Sequence, residues 1–313
     1  MLGRLRMPRT DRCHVVTLSV VVVHWNVPSL LQRCLETVQA DVARTNLNAE
    51  VIVVDCASDD TRHHDVLAAF PDVIAIDLPT NPGYAAGCNA GFARSSGEAV
   101  LLLNPDVEVL PGALDALLRG LHAGSHIGLV APLLLNTDGT IQSRGYRFPP
   151  PWSPLFDLLP LPDRLRESSL NGRLPLSDLY LPVAIDFPLG AALLLRRTAL
   201  EQVGGLDETY GMYCEEIDLA QRLAQAGWTR LLVPQAHLIH LGGQSTRQRA
   251  PQMTQALWHS RGRYSRRWRS RRDRTLEQTC IRLGTMINRL RSRRRGGDNV
   301  DVLRAYLDGV AER

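Results

Sequence analysis

Lysine is absent from this chain. All 36 Lys-or-Arg residues among its 313 are arginine, set against 32 acids, for a net charge of +4. The arginines crowd after Thr246, while the first two thirds is near neutral or acidic. That distribution excludes a protein basic throughout. It points to a basic patch or tail with a phosphate-rich partner, an anionic membrane or a nucleic acid. Paired cysteine spacings are missing as well. Cys13, Cys34, Cys56, Cys88, Cys214 and Cys280 form no CxxC pair and no zinc spacing, and no signal peptide precedes them. Reduced thiols in a cytoplasmic protein are expected. Long apolar runs are lacking too. The run at residues 15–23, behind a basic N-terminus, is too short to span a bilayer, and no A-x-A cleavage site follows it. Any work at a membrane is then expected from its surface. What remains is an ordinary globular composition, 44% hydrophobic and 22% charged, long enough for one large α/β domain or two small ones.

The stretch VLLLNPDVEV, residues 100–109, organises the rest. Its apolar run without helical spacing reads as a strand buried on both faces. Pro105 has no N–H and biases Asn104 to an extended backbone, so pairing should stop there. Asp106 is left at the carboxyl end of a central strand, the edge where open α/β sheets bind ligands. It is either a solvated turn residue or a carboxylate that holds a hard cation and, through it, a diphosphate. Further strands are expected at LSVVVVH (18–24), 51–54, 73–78, 129–135, 191–195 and 230–233, the last ended by Pro234. Helices are expected from an N-cap at Ser29, from about residue 62 to Phe70, and over 85–95, 113–121 and 198–203. Strand and helix alternating four times in the first hundred residues indicate a doubly wound sheet. The Pro- and Leu-rich segment 148–182 reads as an irregular excursion over the active face.

Asp55 ends the second strand as Asp106 ends the fourth, so both carboxylates should reach one sheet edge. A carboxylate abutting an apolar strand must be paired, capped or ligand-bound. Ser58, Asp59 and Thr61 offer groups suited to a base and ribose, or simply turn and cap. The turn from Asn81 to Asn89 lies at the same edge on a helix N-terminus, where Asn89 can reach a ribose or phosphate. A third cluster, Cys214-Glu215-Glu216-Ile217-Asp218, stands in the first turn of a helix marked by Leu219 and Leu223. Helix-start preference explains part of that acidity. The other explanation is a general base whose pKa the adjacent acid raises. His240, before a glycine pair, is a polar residue or the partner of Asp106 in a metal site.

Taken together in this order, SVVVVHWN, EVIVVDCASDDT, the NPGYAAGCNAGFARSSGEAVLLLNPDVEVLPGAL block, GAALLLRRTALEQVGGLDETYGMYCEEIDLAQRLAQAGW and the His-x-Gly-Gly-Gln-Ser tail resemble the family 2 inverting glycosyltransferases, especially their rhamnosyltransferase-like bacterial branch. The resemblance runs from Leu18 to about Ser245. It implies an α/β fold of the GT-A type: a Rossmann-like nucleotide-diphospho-sugar transferase with a mixed sheet flanked by helices. It also implies residues 18–246 as the transferase domain, with a nucleotide half to about 110 and an acceptor half beyond. A leader (1–17) and a basic helical tail (247–313) flank it. By resemblance, His24, Asn26, Asp55, Ser58, Asn89 and Asn104 belong to the nucleotide-sugar site. Asp106, with His240, binds Mg²⁺ or Mn²⁺. Glu216 is the expected base, with Glu215 not fully separable from it, and Asp218 and Arg222 shape the acceptor or diphosphate side. Asn104 stands where a first Asp is usual, leaving one carboxylate fewer for the metal. The implied partners are a nucleotide-sugar donor, dTDP-rhamnose or a UDP-sugar, and a glycan or lipid-linked acceptor in cell-surface polysaccharide assembly.

In the tail, arginines from Arg261 to Arg274 interleave with Trp258, Tyr264 and Trp268, and Leu276, Ile281, Leu283, Ile287 and Leu290 form a weakly amphipathic stretch. Basic and aromatic residues together suit the inner face of an anionic cytoplasmic membrane; a solvated helix that covers the domain is the alternative. No recognition motif supports a nucleic-acid partner. Two other functions stay open. A catalytically inactive nucleotide-sugar-binding module would keep these residues without turnover. A nucleotidyltransferase would need a basic glycine-rich loop after the first strand, which HWNVPS is not.

Overall fold

Buried apolar runs and amphipathic stretches combine into one ten-stranded mixed sheet with helices on both faces. The computed structural model describes residues 16–175, 179–242, 250–292 and 301–312. Most of the leader, Cys13, Gly243 to Ser245, Arg247 and Arg293 to Arg295 lie outside them.

The strands are β1 (Leu18–His24), β2 (Ala49–Asp55), β3 (Ile74–Asp77), β4 (Ala99–Leu103), β5 (Val107–Val109), β6 (Ile127–Leu135), β7 (Ile141–Ser143), β8 (Val183–Ala184), β9 (Ala192–Arg196) and β10 (Thr229–His240). Their order is β3-β2-β1-β4-β9-β6-β10-β5, with β7 on β6 and β8 on β10. Strands β3, β2, β1 and β4 are parallel, and β9 enters antiparallel between β4 and β6. Alternate side chains of each central strand serve opposite faces. Val20, Val22, Leu101 and Leu103 pack on one core with α1 (Pro28–Thr45) and α4 (Ala113–His122). Val21, Val23, Val100, Leu102 and Leu193 pack on the other with α7 (Arg197–Val203) and α8 (Glu215–Gln225). Burial on both faces is why these strands read as unbroken apolar runs.

Two expectations are corrected. Helix α1 begins two residues earlier than a Ser29 cap requires: Pro28 is the first helical residue and Val27 takes the cap position, with no side-chain cap bond. Proline's fixed φ suits the first helical residue, where a missing N–H costs nothing. Strand β10 does not stop at Pro234. A register shift between Val233 and His237 absorbs the proline, because a bulge tolerates a residue that cannot donate to the ladder. The strand therefore reaches His240.

Helices α2 (Arg62–Ala68) and α3 (Tyr84–Arg94) complete the first half, and the excursion carries α5 (Pro154–Leu158), α6 (Asp163–Arg166) and a 3₁₀ turn at Ser169–Asn171. An aromatic stack braces it: Tyr146 on Phe187 at 5.0 Å and Phe148 beyond at 6.2 Å, with Arg173 over Tyr146 and Arg230 over Phe148. The tail forms α9 (Ala250–Trp268), α10 (Arg271–Ser292) and α11 (Val302–Ala311). Its aromatics face inward, not outward: Trp258 packs with Leu158, Ile281 and Tyr306, and Tyr264 packs with Tyr210 and Cys214. The apolar surface of the tail is instead a stripe on α10, where Leu276, Leu283, Met286 and Leu290 are exposed. Among the described residues no helix is long and apolar enough to cross a membrane.

Candidate functional site

Sheet pairing brings Asp106 and His240 together. Antiparallel β5 and β10 set His240 opposite Val107, and the Leu241 amide donates to the Asp106 carbonyl at 3.0 Å. Asp106 Oδ1 and His240 Nε2 then lie 3.4 Å apart, both side chains nearly closed off from solvent. Gln142 on β7 fixes the ring. Its amide nitrogen donates to the His240 carbonyl at 2.8 Å, so its oxygen is the acceptor for His240 Nδ1 at 2.6 Å. Nδ1 therefore carries a proton, and Nε2 faces the carboxylate. An outer partner that fixes the tautomer in this way is typical of a metal-binding histidine. Ligand atoms about 2.1 Å from a six-coordinate cation lie roughly 3.0 Å apart at a right angle, so the 3.4 Å separation fits a shared divalent ion.

The end of β2 holds a tighter knot. His24 pairs with Asp55 in register, its Nδ1 donating to Asp55 Oδ1 at 2.7 Å, while the Val27 amide donates to Nε2 at 3.1 Å. Ser58 donates to the same carboxylate twice, from Oγ at 2.6 Å and from its amide at 2.8 Å. Burial acts to raise the Asp55 pKa, but the bonds from His24 and Ser58 outweigh it and hold it at about 2. Asn26 joins the two loops: its amide donates to Ser58 Oγ at 2.8 Å, and its side-chain oxygen accepts from the Asp60 amide at 3.0 Å. Both Asn26 and Ala57 take positive φ, 55° and 53°, which costs on the order of 1–3 kcal/mol each. His63 sits beside this knot without having been signalled by any motif. Its Nδ1 bonds the Asp60 carbonyl at 2.8 Å, and its Nε2 is buried 3.9 Å from Asp55 Oδ2. His24, Asp55 and His63 have metal-like spacing, as do His63, His64 and Asp77. His24, however, has both ring nitrogens engaged, so the first group is no ready ligand set.

The two glutamates are unlike. Glu215 is buried, with Oε2 unpartnered, and burial together with Glu216 pushes its pKa well above the carboxylate range. Glu216 is half-buried, and burial raises it to about 7. A Cβ at Gly190 would lie 3.6 Å from Glu216 Cβ and Cγ, so the carboxylate arm packs beside Gly190 at ordinary van der Waals distance. Next to Gly190, the Ala191 carbonyl accepts from the Asn104 amide at 2.9 Å, and Tyr84 OH donates to the Gly190 carbonyl at 3.1 Å. The entry to β9 thus links Glu216 to the Asn104-Pro105-Asp106 turn. Tyr213 and Cys214, ahead of Glu215, carry φ of 70° and 67°.

Three of the expected site residues have most of their polar groups committed to the fold, Arg222 Nη2 being buried without a partner. Asn89 Nδ2 donates to the Leu206 carbonyl at 2.9 Å and to Glu208 at 2.8 Å, and its oxygen accepts from the Leu206 amide at 2.9 Å. Asp218 is fully buried, accepting from Arg222 and from Trp268 Nε1 at 2.8 Å each. Arg222 also donates to the carbonyls of Val203 and Gly205. Gln142 and His63 are neighbours that no sequence motif marked, while Tyr84 and Trp268 stand in marked stretches that gave them no role at this site.

Comparison with known proteins bears on the family and the fold. The sequence model of glycosyl transferase family 2 matches residues 19–204, and that of glycosyl transferase family 21 matches residues 175–272. The N-acetylglucosaminyl-diphospho-decaprenol L-rhamnosyltransferase of Mycobacterium tuberculosis is 29% identical over 248 residues, 73% of this chain and 77% of that protein. Among solved structures, the mannosyltransferase PcManGT from Pyrobaculum calidifontis in complex with GDP-Man and Mn²⁺ is similar with a TM-score of 0.55 and 17% identity, over 94% of this chain and 79% of that one. GalNAc-T7 with UDP, GalNAc and Mn²⁺ gives 0.55 and 20%, over 72% of this chain but only 44% of that one. These likenesses show the expected GT-A fold. With a family model matched over more than half its length on that fold, the chain belongs to glycosyl transferase family 2.

Proposed function

We propose that this protein is a metal-dependent inverting glycosyltransferase. It moves a sugar from a nucleotide diphosphate, dTDP-rhamnose or a UDP-sugar, to a hydroxyl of a glycan or lipid-linked acceptor. The observation that carries the reading is geometric: the Asp106–His240 pair stands at the carboxyl edge of the sheet, and Glu216, its carboxyl raised by burial, lies against Gly190 at the entry to β9 beside it. The His24–Asp55–Ser58 knot and Asn26 line the nucleotide end, and Asn104 and Asp106 the diphosphate end. Asp106 and His240 would hold Mg²⁺ or Mn²⁺, which would supply positive charge to stabilise the departing diphosphate. Glu216 takes the proton from the acceptor hydroxyl as it attacks the anomeric carbon from the opposite face. One displacement inverts that centre, and no protein nucleophile is needed. Glu215, shut in and neutral, supports Glu216 without competing for the proton. Rhamnosyl transfer to a lipid-linked acceptor is favoured by the named activity of the mycobacterial relative.

Titration calorimetry with UDP, dTDP, GDP and ADP, with and without Mn²⁺, tests the donor half. UDP or dTDP should bind with Mn²⁺, weakened by at least about tenfold without it, a difference of about 1.4 kcal/mol. Absence of binding by every nucleotide under both conditions would overturn the reading; metal-dependent binding without turnover on any acceptor would favour an inactive binding module.

A peripheral station on the inner face of the cytoplasmic membrane belongs to the same proposal. The exposed stripe of Leu276, Leu283, Met286 and Leu290 on α10 runs beside exposed Arg272 and Arg282, while Glu277 of that helix is buried. Apolar side chains beside arginine suit an anionic lipid surface. Each basic residue contributes about 1 kcal/mol there, so reversing both to glutamate should lower partition onto anionic liposomes more than about tenfold. Wild-type protein should pellet with such liposomes at low salt and leave them at high salt. Equal solubility in both would refute the docking.

A further inference from the structure

The C-terminal helices do more than cover the domain. Helix α9 runs along the segment that carries the glutamates and touches it at successive turns. Ser260 Oγ donates to the Met212 carbonyl at 2.7 Å, just before the two residues of positive φ. Tyr264 OH accepts from Gln221 at 2.9 Å. Trp268 Nε1 donates to Asp218 Oδ1 at 2.8 Å, and Arg267 reaches the same oxygen at 3.1 Å and Asp207 at 2.6 Å. Arg222 holds the other Asp218 oxygen at 2.8 Å. Between them, Tyr210, Cys214 and Tyr264 close an apolar contact that includes Ile217 and Trp268. The far end of α9 is itself anchored. Buried Glu277 of α10 accepts from Ser265 at 2.5 Å and from Tyr306 of α11 at 3.0 Å. Arg269 pairs with that glutamate at 3.0 Å and reaches the Pro149 carbonyl at 2.8 Å.

Asp218 lies two residues after Glu216, in the same first turn. A fully buried carboxylate must have partners, and those from outside the domain are the indole of Trp268 at 2.8 Å and the Arg267 guanidinium at 3.1 Å. The first turn of α8 is therefore fixed from two directions: by Arg222 within the domain and by Trp268 from the tail. Cys214 and Tyr213 meanwhile hold a backbone form that only surrounding contacts can sustain.

We infer that Trp268, acting through Asp218, is a positioning residue for the Glu216 carboxylate, so that the basic tail is part of the catalytic unit. This rests on the reading of Glu216 as the base. The groups that face the glutamates are Tyr84 and Cys88 from α3 and Cys214 on the preceding loop, with Arg261 of α9 and Glu277 of α10 facing Cys214. None of these is changed by substituting Trp268.

The test is Trp268→Phe in the full chain. It keeps an aromatic ring in the contact with Tyr210, Cys214 and Tyr264 and removes the N–H together with part of the indole's volume. A second variant, Arg267→Gln, removes the exposed ion pairs at the same carboxylate. With Trp268→Phe, kcat should fall roughly ten- to a hundredfold, the range expected when a reacting group is slightly misplaced. Donor KM and nucleotide affinity should be unchanged. The acidic limb of the kcat/KM profile should move to lower pH, because a released Glu216 sees more water and loses its raised pKa. Arg267→Gln should move both quantities in the same direction by less. A purely structural tail predicts a lower melting temperature with kcat and the limb as in wild type; that outcome for a folded variant would overturn the inference. If Glu216→Gln itself proves active, the reading of the base fails first, and the two failures are told apart.

Discussion

Glu216→Gln should lower kcat/KM by roughly 10²–10⁴-fold at neutral pH, the usual contribution of a positioned base, with nucleotide affinity held near wild type. Glutamine keeps the shape and the half-buried seat against Gly190 but accepts no proton. The pH profile sharpens the expectation. Burial raises the Glu216 carboxyl to about 7, and a base must be ionised to act. Wild-type kcat/KM should therefore rise with pH through about 7 and flatten above it, and the variant should lose that limb. Glu215→Gln is the contrast. Glu215 is shut in, and burial with its neighbour pushes its pKa far up, so it is neutral where the enzyme works. Its amide should keep activity within about tenfold of wild type, well short of the loss of a base. The melting temperature of Glu216→Gln should hold or rise, since two adjacent acids no longer compete for charge. Activity above a tenth of wild type in Glu216→Gln would remove it from the reaction.

The sequence could separate the two glutamates by motif position only; burial separates them physically. Elsewhere the division between legible and hidden features follows the same logic. Strand ends were legible because a run such as Val51 to Val54 must be buried on both faces, and the acid that breaks it must stand at an edge. That located Asp55 and Asp106. The direction of β9 was not legible, because Ala192 to Leu195 is as apolar as its parallel neighbours and periodicity carries no direction. The length of β10 was misread at Pro234, since a bulge removes the conflict that proline creates. Gln142 had no local signal at all: its role exists only because a three-residue strand pairs beside β6 and sets its amide against His240. Asn89 shows the reverse. Its amide looks like a ligand group in the glycine-rich turn, yet its partners are 117 and 119 residues away in the chain. Trp258 and Tyr264, read beside arginine as an interface, are buried by helices whose packing no single segment encodes.

Asp106→Ala should lower kcat/KM by about 10²–10⁴-fold, since charge stabilisation by a bound cation is worth several kcal/mol and each 1.36 kcal/mol is tenfold in rate. The fold should survive, because the bond that joins this turn to the end of β10 uses the Asp106 backbone carbonyl, which alanine retains. Nucleotide binding by Asp106→Ala should no longer respond to Mn²⁺. In the wild type, EDTA should abolish turnover. Mn²⁺ should restore it better than Mg²⁺, because one of the two protein ligands is an imidazole nitrogen and Mg²⁺ favours oxygen alone. The partners form a graded series. His240→Ala removes one ligand and leaves the carboxylate. Gln142→Ala leaves both ligands but frees the imidazole from its tautomer, which should weaken metal affinity about 10–100-fold and be rescued by excess Mn²⁺. That rescue distinguishes a residue that orients a ligand from one that is a ligand. If Asp106→Ala keeps the wild-type response to Mn²⁺, the 3.4 Å pair is an ordinary carboxylate–histidine contact, and the cation must be sought at another edge of the sheet.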